Sequence, residues 1–190
     1  MRGPALAAFA LAMLLGGCAS PALQPSNSTA VLPPVQEAFE AAGRLSARHG
    51  DAALAANFQW RHERERDELE LASPLGQTIA VLTGDGSSAR LQGSDGQSLS
   101  AESWTKLTQQ GLGWPLPVDG LKYWIQGAPR AGAEFTTEAG EQGRIAVLRQ
   151  DGWTIVYQSY VQTSTGAWRP SRMSATYPEV DLRLAIDRWQ

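Results

Sequence analysis

The sequence predicts a mainly β fold: an open, incomplete antiparallel barrel of about ten to eleven strands, with an N-terminal helix before the sheet and a central helical plug. Three observations predict it. Apolar and polar residues alternate over many short runs, the mark of half-buried antiparallel strands. Asp-Gly dipeptides at 85–86, 95–96 and 151–152 punctuate these runs where hairpins reverse. Near the middle, helical spacing on either side of a Gly/Pro-rich bend interrupts the alternation once. A long antiparallel sheet with one apolar face tends to curl and be covered, and an inserted helical pair can plug the mouth of the barrel. Such a shape often encloses an apolar ligand cavity.

From the N-terminus, Arg2 precedes an uncharged apolar run from Ala5 to Leu15. As a helix it spans only ~16 Å, well short of the ~30 Å hydrocarbon core, so it reads as a signal peptide. Leu15-Gly16-Gly17-Cys18 resembles the bacterial lipobox, in which the cysteine is acylated after cleavage before it. That similarity implies removal of residues 1–17 and a lipid anchor on Cys18. Ala19 stands where an aspartate would signal inner-membrane retention, so the address resembles an outer-membrane one, with the domain on the periplasmic face. Residues 18–34 then form the acylated cysteine and a Pro/Ser/Ala-rich tether.

The globular domain is expected over 35–190. Two prolines precede Val35, Phe39 and Ala42, whose spacing predicts a helix over 35–45. Period-two runs follow. Leu54, Ala56, Phe58 and Trp60 alternate with polar or small residues, as do Leu69 and Leu71, then Ile79 and Val81. Ser100 is expected to cap a helix carrying Trp104, Leu107 and Gly111 on one face. The segment Gly113-Trp114-Pro115-Leu116-Pro117 makes a rigid bend, after which Leu121, Trp124 and Ile125 share a helical face closed by Gly127. Strands resume with Ile145 and Val147, with Trp153, Ile155 and Tyr157, and with Val180 to Asp187, where Leu182 and Leu184 point one way. The inward residues of these runs, with Trp114 from the bend, are the candidate lining of a cavity.

Composition excludes several classes. The formal charge of −3 argues against a nucleic-acid partner, which needs a basic patch. A single cysteine and two distant histidines, His49 and His62, make neither a disulfide framework nor a metal cluster. Gly84-Asp85-Gly86-Ser87-Ser88-Ala89 has the spacing of a dinucleotide loop, but strand signals flank it and a hairpin turn is the better reading. Ser103-Trp104-Thr105-Lys106 fits an SxxK motif without its partner elements, so Ser103 reads as a first-turn helix residue. No nucleophile and base are assembled, and no cofactor is expected. The charge run from His62 to Glu68 reads as a solvated hairpin with alternating ion pairs, or else as a partner-docking edge. Ser73-Pro74-Leu75-Gly76-Gln77 lies between two amphipathic strands; Pro74 fixes one side of the turn, Gly76 permits the reversal, and Leu75 projects from the tip. On physics alone Leu75 is an ordinary exposed leucine, one folded back on the core, or a functional projection.

The bend and helix from Gly111 to Gly127, the Pro74-Leu75-Gly76 loop, the lipobox and the last strand ending at Trp189 together resemble the LolB family of outer-membrane lipoprotein receptors. The resemblance covers 35–190. It implies a LolA/LolB-like open barrel around an apolar cavity, and a non-enzymatic function. Members accept triacylated lipoproteins from the periplasmic carrier LolA and insert them into the outer membrane without nucleotide hydrolysis. The family's protruding apolar loop residue carries over to Leu75. The partners implied are LolA with its cargo and outer-membrane phospholipid, and the chain is expected to act as a monomer. The alternative is a structural envelope lipoprotein with a solid core and no lipid cargo.

Overall fold

The computed structural model describes residues 30–190. Cys18, the signal segment and most of the expected tether lie outside those residues. The chain runs β1 (Ala38–His49), β2 (Ala52–Glu63), β3 (Arg66–Ala72), β4 (Thr78–Gly84), β5 (Ala89–Gly93), β6 (Ser98–Ala101), α1 (Trp104–Leu112), α2 (Val118–Trp124), β7 (Phe135–Ala139), a 3-10 turn (Glu141–Gly143), β8 (Ile145–Gln150), β9 (Trp153–Gln162), β10 (Trp168–Tyr177) and β11 (Val180–Trp189). All eleven strands form one antiparallel sheet in the order β6-β5-β4-β3-β2-β1-β11-β10-β9-β8-β7. Every neighbouring pair but β1–β11 is also consecutive in sequence, so two meanders spread from a central seam. Their far edges, β6 and β7, do not pair, and the barrel stays open. The α1–α2 segment is the link between those two edges, which is why it crosses the concave face.

The predicted N-terminal helix is instead β1. Its twelve residues pair with β2 along their whole length, and it also carries the seam to β11. Phe39, Ala41 and Ala47 are buried on the inner face while Glu40 and Arg48 face out. Alanine-rich sequence favours helix locally, but pairing on both sides overrides so weak a propensity. At the seam the register shifts between Ala42 and Gly43, leaving Asp187 of β11 as the extra residue. A Cβ at Gly43 would lie 2.0 Å from the Ala185 carbonyl oxygen, so only glycine lets the two strands approach.

Bulges also overturn three expected orientations. Ile79 is the extra residue where the β3–β4 register shifts, and it is 38% exposed. Leu69 and Leu71 pair with Leu82 and Ala80, so Ala80 and Leu82 point inward and Ile79 and Val81 point out. In β8 the register shift opposite Glu138 and Ala139 inserts Ala146 between Ile145 and Val147. Ile145 and Leu148 are therefore both buried, and Val147 lies on the outer face opposite Val156. These three residues do not line the interior.

The helical pair is present with different ends. Ser103, not Ser100, caps α1: its hydroxyl accepts from the Lys106 amide at 3.2 Å, while Ser100 belongs to β6. Gly127, with φ +80°, ends the turn after α2.

Candidate functional site

The inner face of the sheet and the plug together enclose one apolar body. Phe58, Trp60, Leu71, Ile155, Tyr157, Leu182 and Leu184 reach it from the strands; Trp114, Leu121, Trp124 and Ile125 reach it from the plug. All are buried, and Leu69 is partly buried beside them. Plug side chains thus fill the expected apolar interior: Leu107, Trp124 and Ile125 have no exposed surface. An acyl chain would occupy this space only if the plug moved.

The two halves of the plug are held differently. The Trp124 indole N–H donates to Gln150 Oε1 at 2.9 Å, and the Tyr157 hydroxyl donates to the Trp124 carbonyl at 2.9 Å. Gln150 also accepts from the Arg130 amide and donates to the Arg130 carbonyl. Beyond α2, Gln126 exchanges hydrogen bonds with the Gln36 backbone, and Arg169 donates to the carbonyls of Pro34 and Gln126. Val31 donates to the Gly143 carbonyl, so residues 30–36 lie against the domain although 30–34 were expected as the end of the tether. Burial raises the Tyr157 hydroxyl well above the usual phenol range and lowers the Arg169 guanidinium. Among the described residues α1 has no such bond to the sheet. It rests on apolar contact, with Trp104 over Gly84 and the Gly111 backbone facing Leu91 and Leu99. Leu45, Leu54, Leu69 and Leu91 on this flank, with Leu112 and Leu116 of the plug, are only partly buried.

The charge run is not simply a solvated hairpin. His62 and Asp67 are buried; Asp67 Oδ1 accepts from the Trp60 indole at 2.8 Å and sits 2.8 Å from His62 Nδ1. Phe39 packs against Trp60, His62 and Trp189. A hollow of about 1240 Å³ beside that hairpin is lined by charged residues including Glu63, Arg64 and Lys122, which suits water rather than acyl chains. Among the described residues no cluster of three or more His, Cys, Asp or Glu could hold a metal.

The Ser73–Gln77 loop turns between β3 and β4. The Ser73 amide donates to the Gln77 carbonyl and the Gly76 amide to the Ser73 carbonyl, with Gly76 at φ +84°. Leu75 is 90% exposed at the tip, between Pro74 and Gly76. Sequence reasoning located this loop and the plug aromatics. It missed Gln150, Gln126 and Arg169, isolated polar residues whose partners lie far along the chain.

Comparison with known proteins agrees with this architecture. The family model described as "Outer membrane lipoprotein LolB" matches residues 37–189. The chain is 37% identical over 177 residues to an outer-membrane lipoprotein LolB of Azoarcus sp., covering 93% of this chain and 90% of that one. It is 33% identical over 187 residues to that of Nitrosomonas europaea, covering 94% and 88%. A solved LolA-superfamily protein from Nitrosomonas europaea superposes with a TM-score of 0.51 at 11% identity, covering 84% of this chain and 88% of that one, a likeness of fold. The matched span holds the whole sheet, the plug and the Leu75 loop, and the chain belongs to the LolB family of outer-membrane lipoproteins.

Proposed function

We propose that this chain is the outer-membrane receptor that takes acylated lipoproteins from a LolA-type carrier and delivers them to the membrane without nucleotide hydrolysis. In this reading residues 1–17 are a removed signal, and Cys18 carries the acyl anchor on the periplasmic face. The stretch to residue 34 links it to a monomeric domain over 35–190. The observation that carries the reading is the concave apolar face under a plug bonded firmly on one side only. Acyl chains gain about 0.8 kcal/mol per buried CH₂, so a cargo anchor needs a continuous apolar cover in water. The partly exposed leucines under α1, Leu91 and Leu99, offer the first such surface. Cargo enters there as α1 lifts, while α2 stays bonded to β8 and β9.

Leu75 is the membrane wedge. A leucine fully buried in lipid contributes about 1.5–3 kcal/mol, too little to anchor the domain but enough to orient it. The test is transfer from a purified LolA–lipoprotein complex to this protein and on to liposomes. Leu75→Glu is expected to accept cargo normally and to lose delivery; retained delivery would remove the loop from the mechanism.

The filled interior favours a second reading, a scaffold lipoprotein with a solid core. An apolar fluorescent probe separates the two. A plug that opens takes up the probe and releases it to a diacylated lipopeptide, whereas a solid core never binds it.

A further inference from the structure

Trp114 sits in the bend between α1 and α2. It is only 5% exposed, and its indole N–H has no acceptor among the described residues. The side chain belongs to the hydrophobic core, against which its chain neighbours Leu112 and Leu116 also pack. Its ring stacks on His49 at the end of β1, with centroids 5.5 Å apart and planes 16° from parallel. The indoles of Trp60, Trp124 and Trp189 all donate, to Asp67, Gln150 and the Pro170 carbonyl. A buried donor without a partner is rare, because it has given up water for nothing. Tryptophan has a single donor and no acceptor, so only an acceptor can complete it.

The surroundings restrict what that acceptor is. A phosphate or carboxylate would have to shed its hydration in the buried core, beside a His49 ring that already faces the Glu179 carboxylate, which is costly for a negative charge. A neutral carbonyl attached to acyl chains carries its own apolar cover. We infer that Trp114 is a recognition residue for the ester carbonyl of an acylglycerol: its N–H donates to that oxygen when the bend opens, selecting acylated anchors over plain hydrocarbon. The inference rests on the cargo reading above and names the polar atom that reading leaves open. The ester has two sources, the diacylglyceryl group of a lipoprotein and the glycerol esters of bilayer phospholipid.

The test compares two synthetic lipopeptides, one with ester-linked and one with ether-linked chains, against the wild type and Trp114→Phe, which keeps an aromatic ring and removes the donor. The wild type is expected to bind the ester form about five- to tenfold more tightly, the contribution of one hydrogen bond. In Trp114→Phe the ester/ether ratio falls to one. The ratio within each protein cancels any general loss of packing. If Trp114→Phe does not fold, the wild-type indole N–H resonances serve instead: one of the seven tryptophans shifts downfield with the ester form and not with the ether form. Cosedimentation with ester- and ether-linked phosphatidylethanolamine vesicles separates the sources. A preference seen only with vesicles assigns the donor to the bilayer. Equal binding of both lipopeptides and both vesicles by the wild type overturns the inference and leaves the cargo reading intact. No binding of either lipopeptide overturns both.

Discussion

The two ends of the plug rest on the same sheet in opposite ways. On the β7–β11 flank, α2 and the loop after it are bonded through Gln150, Tyr157, Gln126 and Arg169, and Trp124, Ile125 and Ile155 are fully buried. On the β1–β6 flank, α1 lies on Gly84, Leu91 and Leu99 by apolar contact; its own Trp104 and Leu107 are buried, while Leu91, Leu99 and Leu112 keep part of their surface. Hydrogen bonds are directional and hold one geometry; apolar contact tolerates sliding and the insertion of other apolar groups. One flank is therefore held in a single geometry, and the other is held by contact that tolerates rearrangement.

The seam between the flanks is the most sensitive point. Gly43→Ala places a methyl against the Ala185 carbonyl, and unfolding experiments are expected to show a loss of about 3 kcal/mol or more. A loss under 1 kcal/mol would mean the seam is slack. Next, Gln150→Leu strands the Trp124 indole and the Arg130 amide. It is expected to cost about 1–3 kcal/mol, lowering Tm by roughly 2–10 °C, and to make α2 amides exchange as fast as those of α1. Tyr157→Phe removes one bond to the Trp124 carbonyl and is expected to cost about 1 kcal/mol, with the same spread of exchange into α2. In the unmutated chain, hydrogen exchange is expected to protect α2 more than α1. Equal protection would erase the difference between the flanks. Leu75→Glu, at an exposed tip, is expected to change stability by less than about 0.5 kcal/mol, so that a loss of delivery in the transfer assay would not be a loss of fold.

What was legible in the sequence follows the same division. Strands with one apolar parity, such as Phe58-Gln59-Trp60 and Leu182-Arg183-Leu184, declared their inner face directly. Ile79-Ala80-Val81-Leu82 is apolar on both parities, and only the bulge at Ile79 decides which side is in. Gly84 is small because Trp104 lies over it: a Cβ there would meet the indole at 2.7 Å. That constraint comes from a residue 20 positions away and has no local signal. β1 was hidden for a related reason, since small residues chosen for a close seam look like helix formers. The Leu75 loop and the bend at Trp114 were legible because proline and glycine fix their shape locally. The polar pins of α2 were not, because a buried glutamine is recognised only by the partner the fold brings to it.

The most direct test of the account is to lock α1 to the sheet. In a Cys18→Ala background, Gly111→Cys and Leu99→Cys put thiols on α1 and β6 at facing positions, since a Cβ at 111 would lie 3.6 Å from the tip of Leu99. Oxidation should then close the flank proposed above as the entry for cargo. The account predicts that the oxidised protein refuses a diacylated lipopeptide and that reduction restores binding. Equal uptake by both forms would show that acyl chains do not enter beneath α1.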